Sequence, residues 1–350
     1  MVMIANVGIA EAPYSYTQEQ VKQAIAPIFE EAVGTKKAER LLRVFDDNGM
    51  ETRQFVEPLE NIQQNRSFAT KNAIYHDAAF TLAKNAIEAT VPTALMGEID
   101  AIICVTSTGI QTPSLDVRLI NELPLHFQIQ RMPLWGLGCA GGAIGMSRAY
   151  DYCKAHPHAK VLLVTVECCS TTYTPQDLTK SNLIGTCLFG DGAACAVLGG
   201  DLADWSKWEL PTSTPTILKT ASFLLPESED VMGWGVEEDG LRVIFSKDIP
   251  GIVQSFMPGV LHAFGYSFDH LVAHPGGRKV LDAFEEALQV TPEQTKPARE
   301  VLKRHGNMSS PTVLFVLKEL LESKGSGLMV AMGPGFCAEI LALEWRETVR

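Results

Sequence analysis

The chain has 350 residues, 46% of them hydrophobic, and a formal net charge of −12. This length suits one large domain or two average ones, and the acidic balance argues against nucleic acid or an anionic membrane as the main partner. No apolar run approaches the roughly 18 residues of a membrane span. The eight cysteines are scattered without zinc-ribbon spacing, which favours free thiols in a reducing cytoplasm.

The N-terminal segment MVMIANVGIAEAPYSYTQEQ has no basic region ahead of its apolar stretch. It therefore predicts a first strand followed by a helix cap, and not a signal peptide. A basic segment comes next, with Lys36, Lys37, Arg40, Arg43 and Arg53. Two interpretations of it stay open: a solvated helix face, or a local patch that meets an anionic cofactor.

Short apolar runs then alternate with helical spacing, which is typical of an α/β protein with buried strands. A helix is predicted from Ala143 to Cys153, stopped by Pro157. The tract Cys153, His156 and His158 is interpreted as a helix end with surface histidines, so no metal site is expected. Three strands are predicted, at Ile99–Val105, Lys160–Val166 and Ala193–Gly200.

The second half repeats the plan of the first: a strand ending in a glycine turn, a special residue before a helix, and a strand pair. GTCLFGDGAACAVLGGD and GLMVAMGPGFCAEILALEW are the two predicted strand pairs. The pattern indicates a duplicated α/β unit, with halves at 1–205 and 206–350 and a site between them. The stretch Asp201–Pro226 is interpreted as the crossover between the halves.

Cys139 is the first candidate for chemistry. It lies in WGLGCAGG, where glycines permit a sharp turn into the helix and a close substrate approach. The positive end of a helix lowers the pKa of a thiol, which favours a nucleophile. An isolated cysteine in such a turn is nevertheless more often a buried packing residue.

Two residues of the second half change that balance. His274 ends a predicted strand before Pro275, and Asn307 precedes a capped helix. An imidazole can stabilise a thiolate, and both side chains can donate hydrogen bonds to an oxyanion. A papain-like protease also has the order Cys, His, Asn, but the segment around its cysteine and a secretory signal are absent here.

The motifs WGLGCAGG, TKSNLIGTCLFGDGAA, VIFSKDIPGIV, AHPGGRKVLDAF, HGNMSSPTVLFVL and MGPGF together resemble the bacterial type III polyketide synthases, the chalcone synthase-like branch of the thiolase superfamily. TRQFVEPLE and STGIQTPSLDVRLINELP look most like the alkylpyrone-forming enzymes of bacilli. The resemblance implies a duplicated five-layer αβαβα fold, a homodimer, and a triad of Cys139, His274 and Asn307.

By this resemblance, Cys139 as a thiolate paired with protonated His274 accepts an acyl group from an acyl-CoA. Malonyl-CoA is decarboxylated to an enolate that His274 and Asn307 stabilise, and the cycle repeats until the chain leaves by ring closure. No metal or redox cofactor is needed, since CoA thioesters are substrates. CoA-binding roles are implied for Arg53, Arg278 and Lys279.

Phe189 matches the family's gatekeeper between tunnel and pocket. Val243, Cys169, Trp234 and Met332 replace other residues at pocket positions of the plant enzymes, which favours a fatty acyl starter over an aromatic one. Thr112 is implied to lie in the loop that crosses the dimer interface into the partner's cavity. The resemblance also places further residues at the substrate site: Thr172, Gly185, Ser309 and Pro334.

Two alternatives remain at this point. A β-ketoacyl synthase that stops after one condensation on an acyl carrier protein uses the same three residue types. A thiolase-fold binding subunit without activity is the other. Starter length, the number of malonyl units and the mode of ring closure depend on cavity volume and are not readable from the sequence.

Overall fold

A computed structural model of the chain describes residues 1–46, 48–245 and 248–348. Thirteen strands lie in these ranges: β1 (Val2–Glu11), β2 (Tyr14–Thr17), β3 (Thr52–Phe55), β4 (Ala101–Thr106), β5 (Gln130–Trp135), β6 (Lys160–Cys168), β7 (Asp191–Gly200), β8 (Ser213–Leu224), β9 (Met232–Glu237), β10 (Gly240–Phe245), β11 (His270–Ala273), β12 (Gly325–Gly333) and β13 (Cys337–Glu347).

The same ranges contain eleven α-helices: α1 (Gln18–Val33), α2 (Thr35–Leu42), α3 (Leu59–Ile62), α4 (Phe68–Glu88), α5 (Leu115–Glu122), α6 (Gly141–Ala155), α7 (Lys180–Leu188), α8 (Ile249–Phe264), α9 (Arg278–Leu288), α10 (Pro292–His305) and α11 (Thr312–Glu319). Short 3₁₀ turns follow α2 and precede α6. Thr17 caps α1 in a capping box with Gln20, as the polar residues after the first strand suggest.

The large sheet has the strand order β11-β12-β13-β8-β1-β7-β6-β4-β5. Strands of the first half occupy one end and strands of the second half the other. They join where β1 pairs with β8, at Val2 with Ile217 and Met3 with Thr216. The boundary expected between residues 205 and 206 lies in the segment between β7 and β8, and the division there stays a prediction.

Helices α6 and α11 lie between the two halves of the sheet, because each contacts strands of both. Helices α4 and α5 cover the outer face of the first half, and α10 contacts β11 on the other side. Buried side chains alternate along β4: Ile102 and Cys104 belong to the outer apolar cluster with residues of α4 and α5, while Ile103 and Val105 belong to the central cluster with residues of α6. The layers are therefore helix, sheet, helix, sheet, helix, which agrees with the fold class expected from the resemblance.

Two sequence predictions were wrong in detail. The first expected strand pair is not a pair, because residues 180–188 form helix α7, capped by the Thr179 hydroxyl, and only β7 is a strand. The segment expected to be a crossover contains the twelve-residue strand β8, which pairs with β13 on one side and β1 on the other. Its threonines are residues that favour strands. The strands predicted at Ile99–Val105, Lys160–Val166 and Ala193–Gly200 are confirmed as β4, β6 and β7. The helix predicted after Cys139 is confirmed as α6.

Glycine permits α6 to pack tightly on the segment that leads into α11. An added Cβ at Gly142 would lie 2.4 Å from the Ser310 carbonyl oxygen and 2.6 Å from Val313 Cγ1. Since both neighbours belong to the buried central layer, neither can move without disturbing the packing.

We expect Gly142→Ala to lower the free energy of unfolding by about 1–3 kcal/mol, as overpacked substitutions do. The matched control is Gly259→Ala in α8, where an added Cβ meets no described atom within 4 Å. It should be neutral or stabilising by up to about 1 kcal/mol, the helix preference of Ala over Gly. Urea unfolding compares the two, and equal midpoints would contradict the packing argument.

Candidate active site

Cys139 lies in the 3₁₀ turn Gly138–Ala140 that opens α6. The turn needs glycine: Gly138 has φ +48°, and an added Cβ would lie 2.8 Å from Pro334 Cδ. The Gly138 N–H donates to Ser107 Oγ over 3.1 Å. The turn follows strand β5, so the thiol lies at the start of a helix, as the glycine pattern indicates. Pro334 packs against the turn at Gly138.

Asn307 meets Cys139 from the second half of the chain. Its Nδ2 and Oδ1 each lie 3.8 Å from the cysteine sulfur. The Ser309 N–H donates to Oδ1 over 2.8 Å, which sets the orientation of the carboxamide; its NH₂ group donates to the Gly276 carbonyl over 3.4 Å and has a second hydrogen for the cavity. Ser309 itself has φ +59°, an uncommon value for a residue with a side chain.

His274 follows β11, and its main-chain N–H donates to the Val330 carbonyl over 2.9 Å. The imidazole is buried and lines the same cavity as Cys139 and Asn307. Neither ring nitrogen has a hydrogen-bond partner in the described ranges. Both nitrogens are therefore left to serve a substrate or the thiol. The structure brings the three predicted residues together around one cavity.

Burial sets the protonation of this pair. It lowers the pKa of His274 to about 3 and raises the pKa of Cys139 to about 11. Hydrogen bonds from Ser309 and Asn307 act in the opposite direction on Cys139, and the charge of Glu167 adds to the rise. The ligand-free site thus favours a neutral thiol beside a neutral imidazole, in contrast to the ion pair implied by the resemblance.

Glu167 is a residue that the sequence reasoning missed. It ends the apolar strand β6, is fully buried, and accepts from Ser107 N, Thr108 Oγ1 and Ser310 Oγ at 2.9, 2.9 and 2.7 Å. Burial raises its pKa to about 7. The carboxylate ties the Cys139 turn, through Ser107, to the Asn307 segment. A glutamate in an apolar strand was the available signal.

The three residues line a space that we call the wide cavity. The volume that water-sized molecules can occupy in it is about 520 Å³. Met332 also lines it. Four exposed cationic side chains lie at its mouth. Arg278 and Lys279 were predicted to bind CoA, and Arg43 belongs to the basic segment. Lys180 was not predicted. The basic segment therefore contributes at least one side chain to the cavity as well as a solvated helix face.

A second space, the narrow slot, has room for only about 40 Å³ by the same measure and is mostly apolar. Helix α7 separates it from the wide cavity. Six of the predicted substrate residues line it: Cys169, Thr172, Gly185, Phe189, Trp234 and Val243. Thr112 lines neither space; it is exposed in the loop between β4 and α5.

Phe189 stands between the two spaces. Its ring centroid lies 5.7 Å from that of Phe245, which lines the wide cavity, and 5.9 Å from that of Trp234 in the slot. The backbone is fixed to the catalytic segment: Asn307 N–H donates to the Leu188 carbonyl, and Gly190 N–H donates to the Asn307 carbonyl. The aromatic pair therefore lies at the boundary between slot and cavity.

Arg53 departs from the expectation of a CoA contact. It is fully buried, and its Nη1 donates to the carbonyls of Thr186 and Phe189 over 2.6 and 2.7 Å. Burial lowers its pKa to about 10. Because the guanidinium is held inside by the end of α7, it does not reach the cavity mouth; it fixes the backbone of Phe189.

No helix of the described residues is long and apolar enough to cross a bilayer. No group of three or more His, Cys, Asp or Glu side chains in the described ranges is arranged to hold a metal ion. The cysteines form no disulfide in this part of the chain, which contains all eight.

Fold and site together define a thiolase-like acyl-transferring enzyme with a cysteine at a helix start. Residues 51–202 match the family model of the chalcone and stilbene synthase N-terminal domain, and residues 216–345 match the C-terminal domain. The chain belongs to the chalcone and stilbene synthase family. It is an acyltransferase of the type III polyketide synthase class, which confirms the resemblance.

Among its relatives, a protein of Bacillus subtilis (strain 168) named "Putative chalcone synthase" is 40% identical, covering 99% of this chain and 100% of its own. The 1,3,6,8-tetrahydroxynaphthalene synthase of Streptomyces peucetius subsp. caesius is 34% identical over 98% and 93%. The crystal structure of 1,3,6,8-tetrahydroxynaphthalene synthase from Streptomyces coelicolor A3(2), a bacterial type III polyketide synthase, matches with TM-score 0.88 and 27% identity over 99% and 100%.

The neutral thiol and imidazole predict how Cys139 reacts with iodoacetamide. Only the thiolate is alkylated, so a raised pKa moves the rise in rate to higher pH. We expect the ligand-free rate to keep increasing through pH 9 toward about 11. Mass spectrometry of the Cys139 peptide measures it, with Cys139→Ser as the blank. A rise below pH 7 followed by a plateau would instead show a resting thiolate–imidazolium pair.

Proposed function

We propose that this enzyme condenses malonyl-CoA repeatedly onto a medium- or long-chain fatty acyl starter held on Cys139, and releases alkylpyrone-type products. The observation that supports it is a narrow apolar slot next to the triad's wide cavity, separated from it only by α7 and the Phe189–Phe245 pair. CoA thioesters are the substrates, and the steps below call for no metal or redox cofactor.

The first step is acyl transfer to Cys139. A neutral His274 can accept the thiol proton as the sulfur approaches the thioester carbonyl, whereas a protonated imidazole cannot. The sulfur–carbonyl bond forms, the CoA thiolate leaves, and it takes the proton from the imidazolium. The low pKa of His274 favours this proton return.

The second step is decarboxylation of malonyl-CoA. The carbon–carbon bond to the carboxylate breaks, CO₂ leaves, and its electron pair forms an enolate whose oxygen carries charge. Asn307 Nδ2 and a protonated nitrogen of His274 donate to that oxygen; one such donor typically contributes about 3–4 kcal/mol. The enolate attacks the carbonyl of the Cys139 thioester, the Cys139 thiolate leaves, and the lengthened chain is now a CoA thioester. For the next round Cys139 attacks that thioester again, and CoA is released.

The slot supports an alkyl occupant. Val243 and Cys169 leave space where bulkier groups would close it, and Trp234 narrows the wall beside Phe189. The narrow, apolar slot accommodates a flexible saturated chain better than a substituted aromatic ring. A starter that fills the slot also leaves less room for extension, which limits the number of malonyl units.

A homodimer in the cytoplasm completes the proposal. Strand β5 is the end strand of the large sheet, and Trp135 and Ile110 near it are 50% and 45% exposed. An edge strand with exposed apolar side chains is a surface that proteins cover. Thr112, exposed in the neighbouring loop, would then approach the partner's cavity.

A panel of starters tests the proposed substrate. We expect kcat/KM to rise from hexanoyl-CoA to long-chain acyl-CoA and to be lower for aromatic acyl-CoA, with pyrones formed from malonyl-CoA without carrier protein. Mass spectrometry identifies the products. Preference for the aromatic starters would refute the fatty acyl assignment, and a single extension that requires carrier protein would show a β-ketoacyl synthase instead.

The cations at the cavity mouth predict a salt-dependent KM. Arg43→Ala should raise KM for the CoA thioester about two- to fivefold at low salt with little change in kcat, since an exposed charge contact contributes about 0.2–1 kcal/mol. High salt should remove the difference. The matched control is Arg40→Ala, an exposed arginine of the same segment that does not line the cavity. An equal effect of both variants would contradict a phosphate contact at Arg43.

A further inference from the structure

The narrow slot continues beyond the residues that the sequence singled out. Its outer part runs between α1 and α3, with Val21, Ala24 and Ile25 on one side and Leu59 and Ile62 on the other. All five are apolar. Leu59 and Ile62 are half-buried, so this part of the wall reaches the protein surface.

The polar side chains along the slot are already paired within the protein. Asn182 Nδ2 donates to the Thr174 carbonyl over 3.0 Å, and the Thr172 hydroxyl donates to the Cys169 carbonyl over 2.7 Å. Gln63 Nε2 donates to the Ala24 carbonyl over 2.6 Å. A ligand in the slot therefore meets chiefly hydrocarbon. The buried hydroxyl of Tyr173, which has no partner in the described ranges, is the exception.

The dimensions suit a single extended chain. Residues 182, 185, 186 and 189 all line the slot, and seven residues of helix rise by about 10 Å. The room available to water-sized molecules in it is only about 40 Å³, so the slot is narrow. Its inner end lies at Phe189, whose ring stands with that of Phe245 between the slot and the cavity that holds Cys139.

The outer wall is a short segment fastened at two points. Gln63 ties α3 to α1, and the Leu59 N–H donates to the Tyr16 hydroxyl over 3.3 Å. Four helical residues between these points present Leu59 and Ile62 to the slot. The segment can set how far an occupant extends without contributing to the chemistry at Cys139.

We infer that the seam between α1 and α3 is a binding site for the distal methylenes of the acyl starter, with Leu59 and Ile62 as chain-length-determining residues. This inference rests on the proposed fatty acyl substrate. The head of the chain is on Cys139, its middle passes Phe189, and its end leaves the protein between the two helices. Chains longer than the slot then protrude and are tolerated.

The test uses substitutions that narrow the space between α1 and α3. Leu59→Trp and Ile62→Trp should each lower kcat/KM for palmitoyl-CoA by about tenfold or more, because each methylene removed from an apolar site loses a factor of about four. Hexanoyl-CoA, whose chain stays on the inner side, should change less than about twofold. Its unchanged rate also shows that the variants are folded.

Two controls belong to the experiment. Glu60→Trp puts the same bulk on the exposed side of α3 and should leave both starters unaffected. Tyr173→Phe removes the one unpaired hydroxyl and should also leave the chain-length profile unchanged, since a saturated tail does not use it. A selective loss for palmitoyl-CoA in Tyr173→Phe would show a polar occupant and overturn the inference.

The wild-type enzyme separates the two hypotheses. If it prefers aromatic starters, the proposed substrate fails. If it prefers palmitoyl-CoA, and Leu59→Trp and Ile62→Trp keep that preference or slow both starters equally, the fatty acyl substrate stands and the tail site between α1 and α3 is wrong.

Discussion

The close approach of α6 to the segment before α11 is the constraint on which the site depends. Gly141 and Gly142 have no side chain, so Ser310 lies where a Cβ would otherwise be. This contact joins the two halves of the chain in the central layer, and it brings the Asn307 carboxamide to 3.8 Å from the Cys139 sulfur. A larger residue in either glycine position would separate nucleophile and donor before it changed the chemistry of either.

Burial at this contact governs the electrostatics. A thiol and an imidazole taken out of water are both driven toward their neutral forms, and the buried Glu167 carboxylate, itself with a pKa raised to about 7, opposes a thiolate further. The helix start and the Asn307 and Ser309 hydrogen bonds act the other way. The net shifts favour the neutral form of both groups in the ligand-free site.

The fold class could be predicted from the sequence, and so could the three residues that meet at the wide cavity and six that line the slot, because strand periodicity, glycine turns and the family motifs are local signatures. It failed where tertiary contacts decide. Helix α7 was taken for a strand, since its role in separating two spaces is invisible locally. Arg53 was expected to contact CoA, whereas its side chain is buried on the Thr186 and Phe189 carbonyls, which are more than a hundred residues away in the sequence. Leu59 and Ile62 lie in a segment whose residue pattern has no distinguishing feature, and only the presence of a glutamate in the apolar strand β6 marked Glu167.

Arg53 and Asn307 give Phe189 a particular status. Its carbonyl is held by a buried guanidinium, and the peptide groups on either side of it bond to the backbone of Asn307. The main chain of Phe189 is thus fixed to Asn307, while its ring contacts Phe245 and Trp234 among the aromatic groups described. The ring at the boundary between cavity and slot is therefore anchored to the same segment as the Asn307 carboxamide. A change that moves this backbone would alter both the boundary of the slot and the distance from Asn307 to the Cys139 sulfur.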